Sequence, residues 1–194
     1  PLGTVIRAQR LANMKENQTL LVIGSGISGL LHINLAKSKN IKKIIAVDIN
    51  EYRLGAAKRF SADYAFNANN NLVEEIKKIN DDRLADLVIV CTGALPAAKQ
   101  ALNCVDKGGT ILFFAVPKPD ESFEVPINDF WRNEVKVMTS YGAAPNDLKE
   151  SIDFIKNKKI NLNDMITHKL KFDEIQKGFD LVAEAKDSLK VIVE

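Results

Sequence analysis

The chain has little cysteine: Cys91 and Cys104 are the only two in 194 residues. They sit in apolar surroundings without C-x-x-C spacing. That argues against a disulfide framework and a cysteine metal cluster, and the expectation is two buried, reduced thiols. A surplus of one charge is also missing. Lysine and arginine number 27 against 25 aspartates and glutamates, for a net charge of +2. This gives no electrostatic case for nucleic acid. No apolar run approaches the roughly 20 residues of a membrane span. The amino end shows no charged region leading an apolar block, so a reducing cytoplasm is the expected compartment and no membrane is expected as a partner. Internal repeats and low-complexity stretches are absent too. What remains is ordinary globular composition, 46% apolar, at a length that suits one domain with an appendage.

One stretch organises the rest. Leu20-Leu21-Val22-Ile23 is a short apolar run that reads as a buried parallel strand. It feeds Gly24-Ser25-Gly26-Ile27-Ser28-Gly29, the spacing G-x-G-x-x-G. Ile27, Leu30, Leu31 and Leu35 then recur on one helical face. In a strand–turn–helix context, Gly24 permits the sharp turn. Gly26 leaves room for a pyrophosphate, and Gly29 lets helix and sheet approach. The helix amino end, including Ile27 and Ser28, faces the phosphates with its dipole behind it. A second apolar run, Ile44-Ile45-Ala46-Val47, ends in Asp48. Asp48 follows Gly29 by 48 − 29 = 19 residues, close to the spacing of a ribose-binding acid. Such an acid repels a 2′-phosphate, which favours NAD(H) over NADP(H). Asp48 has a second reading, as a helix cap with Glu51 in a capping box.

Further along, strands are expected near residues 63–67, 84–91, 110–116 and 135–141, with helices between them and a turn at Gly108-Gly109. Phe123-Glu124-Val125 reads as a short extended piece. The alternation predicts an α/β fold, a Rossmann doubly wound parallel sheet of six strands in the order 3-2-1-4-5-6, with a ligand at the switch point between strands one and four. Residues 1–16 are expected to form a leading helix and linker, 17–142 the dinucleotide-binding domain, and 143–194 an α/β tail. Phe130 and Trp131 could serve either the core or a partner surface. His168 could relay protons or simply occupy a strand, and His32 reads as structural.

In this order, several pieces resemble the zinc-type alcohol dehydrogenases of the medium-chain dehydrogenase/reductase superfamily, in the branch near sorbitol and threonine dehydrogenases. They are Pro1-Leu2-Gly3, the Gly24–Gly29 loop, Asp48 with Arg53, and Val90-Cys91-Thr92-Gly93. They continue with Gly108-Gly109-Thr110, Ile166-Thr167-His168, Phe172-Asp173-Glu174-Ile175 and Ser188-Leu189-Lys190-Val191-Ile192-Val193. The resemblance covers the whole chain but only the carboxy-terminal, cofactor-binding half of that family's subunit, so a fragment is expected. It implies that Gly24, Gly26, Ile27, Ser28 and Gly29 take the pyrophosphate. Asp48, Ile49 and Arg53 surround the adenosine ribose, Thr92 and Gly93 line the cofactor cleft at the strand-four exit, and the backbone at Val116, the strand-five exit, meets the nicotinamide. Lys190 reaches the pyrophosphate or is plain surface charge.

By the same resemblance the parent enzyme transfers hydride between NAD and a small secondary alcohol or polyol. It would be a homodimer through an edge strand near Phe123–Val125. The family's zinc is expected in that parent but not on this chain, because His32, His168 and two isolated cysteines do not supply the three ligands a catalytic zinc needs. The tail strands, without the other half, should pair with each other or leave an edge exposed. A stand-alone dinucleotide-binding or sensing module is the alternative. A SAM-dependent methyltransferase fits less well, for want of an antiparallel seventh strand.

Overall fold

A computed structural model describes residues 1–160 and 162–194. The chain opens with α1 (Leu2–Leu11). There follow β1 (Thr19–Ile23), α2 (Ile27–Ser38), β2 (Lys43–Asp48), α3 (Glu51–Arg59), β3 (Tyr64–Asn67), α4 (Leu72–Ile79) and β4 (Ala85–Val90). The second half of the sheet comes from α5 (Leu95–Asn103), β5 (Val105–Phe113), α6 (Ile127–Arg132) and β6 (Lys136–Thr139). The tail holds α7 (Pro145–Lys156), β7 (Ile166–Leu170), α8 (Ile175–Glu184) and β8 (Lys190–Val193).

The six-stranded sheet has the order β3-β2-β1-β4-β5-β6 and every pair is parallel. This is the expected doubly wound sheet. Its central strands are continuous apolar runs because each buries both faces. Leu20 and Val22 of β1 join one core, with α1 and α2, while Leu21 and Ile23 join the other. Ile44 and Ala46 alternate with Ile45 and Val47 in the same way, as do Leu87 and Ile89 with Val88 and Val90. The two-residue period of a strand thus distributes one sequence between two cores. Leu72 and Ile76 of α4 and Ala98, Ala101 and Leu102 of α5 cover the second face.

Two local expectations need correction, and one open choice is resolved. Gly108 and Gly109 do not separate α5 from a later strand. They lie within β5, where Ala85 pairs with Val105 but Leu87 with Thr110. Two steps along β4 oppose five along β5, so the glycines sit in an irregular bulge, and Gly108 has φ +70°. The Phe123–Val125 segment is not a strand. Prolines at 117, 119 and 126 surround it, and each lacks the N–H a ladder needs. Its Phe123 ring packs on Phe113 instead, at 5.9 Å between centroids. The edge of the sheet on this side is β6. Finally, Phe130 is buried and Trp131 is 74% exposed, so the neighbouring aromatics divide between core and surface.

The tail packs on the sheet domain through α7, which lies against α1, and carries a separate two-stranded sheet. Asp147 at the start of α7 takes Arg10 of α1 at 2.6 Å and Arg7 at 3.7 Å, and it also accepts the Ala144 N–H. Burial alone would raise the Asp147 carboxyl. The Ala144 amide and the two arginines outweigh it, so its pKa is lowered. β7 and β8 pair with each other in parallel, as one of the two expectations had it.

Candidate functional site

The carboxyl ends of β1, β2 and β4 meet at the switch point of the sheet, and a cleft of about 470 Å³ opens there. Its geometry begins at the glycine turn. Gly24 has φ +95°, a conformation that L side chains avoid, and its N–H is held by the Val47 carbonyl at 2.8 Å. Gly29 lies one helical turn on, where a Cβ would stand 1.9 Å from the Gly24 oxygen. The helix therefore starts in contact with the turn that precedes it. A Cβ on Gly26, the residue before α2, would meet nothing within 4 Å. The space that a phosphate group needs against the backbone is present.

Asp48 stands across this turn. Its carboxylate accepts the Ser25 N–H at 2.8 Å and the Asn50 N–H at 2.9 Å, and Arg53 approaches to 4.0 Å. The side chain is 6% exposed. The acid at the end of β2 is thereby bonded to the glycine loop after β1. The capping alternative is excluded: Asn50 is the cap of α3, and its Oδ1 accepts from Tyr52 N at 2.9 Å and Arg53 N at 3.3 Å.

Six of the expected positions line this cleft: Gly24, Gly26, Asp48, Ile49, Arg53 and Thr92. Ile27, Ser28 and Gly29 form the first turn of α2 beside it. Gly93 and Val116 adjoin each other at the exits of β4 and β5, where a Cβ on Gly93 would lie 2.9 Å from the Val116 oxygen. Neither is in the cleft wall. Lys190 is exposed on β8, opposite Ile166, and is also outside the wall.

The far wall went unread in the sequence. It consists of Ala68 and Asn69 after β3, and of Pro96, Ala97 and Gln100 on α5. Gln100 donates to the Ala68 carbonyl at 2.9 Å and so ties the two pieces together. No glycine spacing or charge marks these residues; their only signal is position just past a strand end. A larger open groove of about 840 Å³ lies between α5 and residues 122–126. It contains none of the motif residues.

Of the remaining candidates only Cys91 lines the cleft. Burial lowers the His32 pKa to about 3. Its ring stands edge-on to Phe114 at 4.8 Å, and Gln9 Nε2 lies 3.3 Å from Nδ1. His168 lies on β7 with Nδ1 3.0 Å from Thr167 Oγ1. Cys91 and Cys104 are free thiols; Cys91 is only half-buried, whereas Cys104 is buried as expected. Burial pushes the first well above the usual thiol range and the second up to about 12. Among the described residues no three His, Cys, Asp or Glu side chains are placed to hold a metal ion. Nor is any helix among them long and apolar enough to cross a membrane.

The sheet order and the glycine turn at its switch point define a doubly wound domain of the Rossmann type. Sequence comparison then makes the assignment: residues 28–157 match the zinc-binding dehydrogenase family, and the chain belongs to that family. Over 193 residues it is 30% identical to an Aspergillus clavatus protein named "Probable D-xylulose reductase A", covering 96% of this chain and 53% of that one. Sorbitol dehydrogenase 1 of Saccharomyces cerevisiae is 26% identical, covering all of this chain and 56% of its own length. The crystal structure of benzyl alcohol dehydrogenase from Acinetobacter calcoaceticus superposes with a TM-score of 0.91 at 23% identity, over 99% of this chain and 54% of that one. The chain spans about half the length of the curated relatives it matches. These relatives bear the names of a xylulose reductase and a sorbitol dehydrogenase, and the solved neighbour that of an alcohol dehydrogenase.

Proposed function

We propose that this chain is the dinucleotide-binding half of an NAD(H)-dependent alcohol or polyol dehydrogenase. The observation that carries the reading is Asp48, a nearly buried carboxylate fixed by two backbone amides at the rim of a cleft whose opposite rim is a glycine turn. A carboxylate can take both hydroxyls of an adenosine ribose and repels a 2′-phosphate. Arg53, the cation near that position, lies toward Asp48 itself, so its charge is partly engaged. Gly24, Gly26, Ile27, Ser28 and Gly29 would receive the pyrophosphate. Ile49 and Thr92 would flank the adenosine, and Gly93 and Val116 would lie toward the nicotinamide end. Lys190 belongs to this set only if β8 approaches the cofactor in the whole enzyme.

The bound nicotinamide supplies hydride chemistry; this half supplies its binding and orientation. The zinc of the family does not fit the described residues, so no catalytic step is assigned to this chain. On this reading the substrate, a small secondary alcohol or polyol, meets its zinc on the part of the enzyme that the chain does not span. Residues 17–142 act as the cofactor domain and 143–194 as the tail that returns toward that part. The two free thiols suit a reducing, cytoplasmic setting. The lack of a ligand cluster equally suits a binding or sensing module without catalysis. Turnover by the chain joined to the missing half of its relatives' length separates the two. The test of the shared claim is a titration of the purified chain with NADH, read by nicotinamide fluorescence, with metal analysis and an alcohol-oxidation assay alongside. Saturable binding, no stoichiometric zinc and no turnover are expected. No binding at millimolar NADH would overturn the reading.

A further inference from the structure

Asn50 uses every hydrogen-bonding position of its side-chain amide, and it uses them on two different parts of the molecule. Oδ1 accepts from Tyr52 N and Arg53 N at the start of α3. Nδ2 donates to the carbonyls of Ala185, at 3.2 Å, and Lys186, at 3.0 Å. Two acceptor and two donor positions are the full capacity of the group, and the donor amides of α3 fix which end is oxygen. Asn50 also gives its own N–H to Asp48, so one residue joins the acid, the cap of α3 and the end of α8.

The receiving end is shaped for this contact. Ala185 closes α8 in the left-handed conformation, φ +51°, which a residue with a Cβ occupies at a cost. Ser188 Oγ donates to the Leu181 carbonyl at 2.7 Å and secures the same turn. The carbonyls of 185 and 186 then point at Asn50, just before the chain enters β8. Aspartate has no donor for these carbonyls. Serine can still cap α3 but is too short to span both sides.

We propose that Asn50 is a positioning residue that latches the α8–β8 unit to the turn carrying Asp48, so that filling the Asp48 site and docking of the tail favour one another. The coupling to a ligand rests on the dinucleotide reading above. The physical route is short. The turn from Asp48 to Asn50 is held from one side by the tail carbonyls and would be held from the other by a ribose diol. Each restraint lowers the ordering cost left for the other, and the coupling is reciprocal.

The test uses the 194-residue chain and Asn50→Ser, which keeps a cap and adds no charge beside Asp48. Hydrogen exchange is followed with and without NADH. Without NADH, amides at 185–193 of the variant should exchange on the order of tenfold faster, as expected for two lost hydrogen bonds, while those at 51–56 hold. Adding NADH should protect both 25–29 and 185–193 in the parent chain. In the variant it should protect 25–29 alone, with NADH binding about three- to tenfold weaker. A purely structural contact would not move that linkage. Should Asn50→Ser disturb 51–56, Asn50→Asp, an equal cap without donors, is judged on the same cofactor-free exchange. Unchanged exchange at 185–193 overturns the latch. Equal NADH protection at 185–193 in parent and variant overturns the coupling. A parent chain that binds no NADH refutes the cofactor reading and with it the coupling, while the cofactor-free exchange still decides the latch.

Discussion

Gly29→Ala sets two effects of opposite sign against each other, and the structure says which prevails. Exchanging glycine for alanine in a helix ordinarily gains about 0.5–1 kcal/mol, because glycine loses more freedom on folding. At position 29 the new Cβ would stand 1.9 Å from the Gly24 oxygen, 3.0 Å from its carbonyl carbon and 3.3 Å from Val22 Cγ1. The nearest obstacle is backbone, and it cannot rotate aside. Gly24 is held by its bond to the Val47 carbonyl, and its neighbour Ser25 by the bond to Asp48. Relief requires α2 to move off the turn by about 1 Å, and forced overpacking of this kind costs about 1–3 kcal/mol, occasionally more. The clash outweighs the helix gain. Each kcal/mol lost should lower the melting temperature by roughly 2–4 °C in a chain of this size. Urea unfolding should show a lower midpoint with an unchanged slope, and NADH binding should weaken at least about tenfold as the amides of the first turn move. Gly55→Ala is the internal control. Gly55 is exposed on α3, where a Cβ would meet only the Arg59 guanidinium at 3.7 Å, so that variant should gain the ordinary helix increment of about 0.5–1 kcal/mol. Equal stability gains in both variants would refute the close approach on which the phosphate turn depends.

Asp48→Asn should cost about 1–3 kcal/mol in urea unfolding, since one of two backbone amides, the buried Ser25 N–H or the half-buried Asn50 N–H, then faces an NH₂ group. It should weaken NADH far more than NADPH. His32 makes stability depend on pH. Its folded pKa, about 3, lies below the unfolded 6.5, so below pH 6.5 the unfolded chain takes up the proton first. Stability is then full above pH 6.5 and falls by about 1.4 kcal/mol per pH unit from there toward 3. His32→Leu should flatten the urea midpoint between pH 6.5 and 5, above the carboxylate range; parallel profiles would show that another group is responsible. The chain should self-associate as a dimer, with the 123–125 segment and the exposed Val125, Ile127, Trp131 and Val137 in the contact. A monomer by light scattering at tens of micromolar would contradict this.

The sheet was legible because its signal is redundant. Apolar runs that bury both faces, the G-x-G-x-x-G turn and an acid 19 residues on all point to one topology, and the acid lies where the spacing put it. The sequence left a choice open where two neighbours compete for one role, and misled where a local rule meets tertiary context. Asp48 and Asn50 are both good caps two residues apart, and only the path of the backbone assigns the cap to Asn50. Gly108-Gly109 has turn chemistry, yet pairing with β4 absorbs it as a bulge. Phe123 and Val125 alternate as a strand would, but the flanking prolines remove ladder donors. The Gln100 wall and the Asn50 latch join residues 32 and about 135 positions apart, which no local pattern records.

The central claim is that the Asp48 cleft is a dinucleotide site selective against a 2′-phosphate. Titration of the unmodified chain with NADH and NADPH, side by side at one ionic strength, tests it most directly. NADH should saturate the site, with NADPH weaker by on the order of tenfold or more, the effect of a second negative charge brought against a fixed carboxylate. NADPH bound as tightly as NADH would contradict the account.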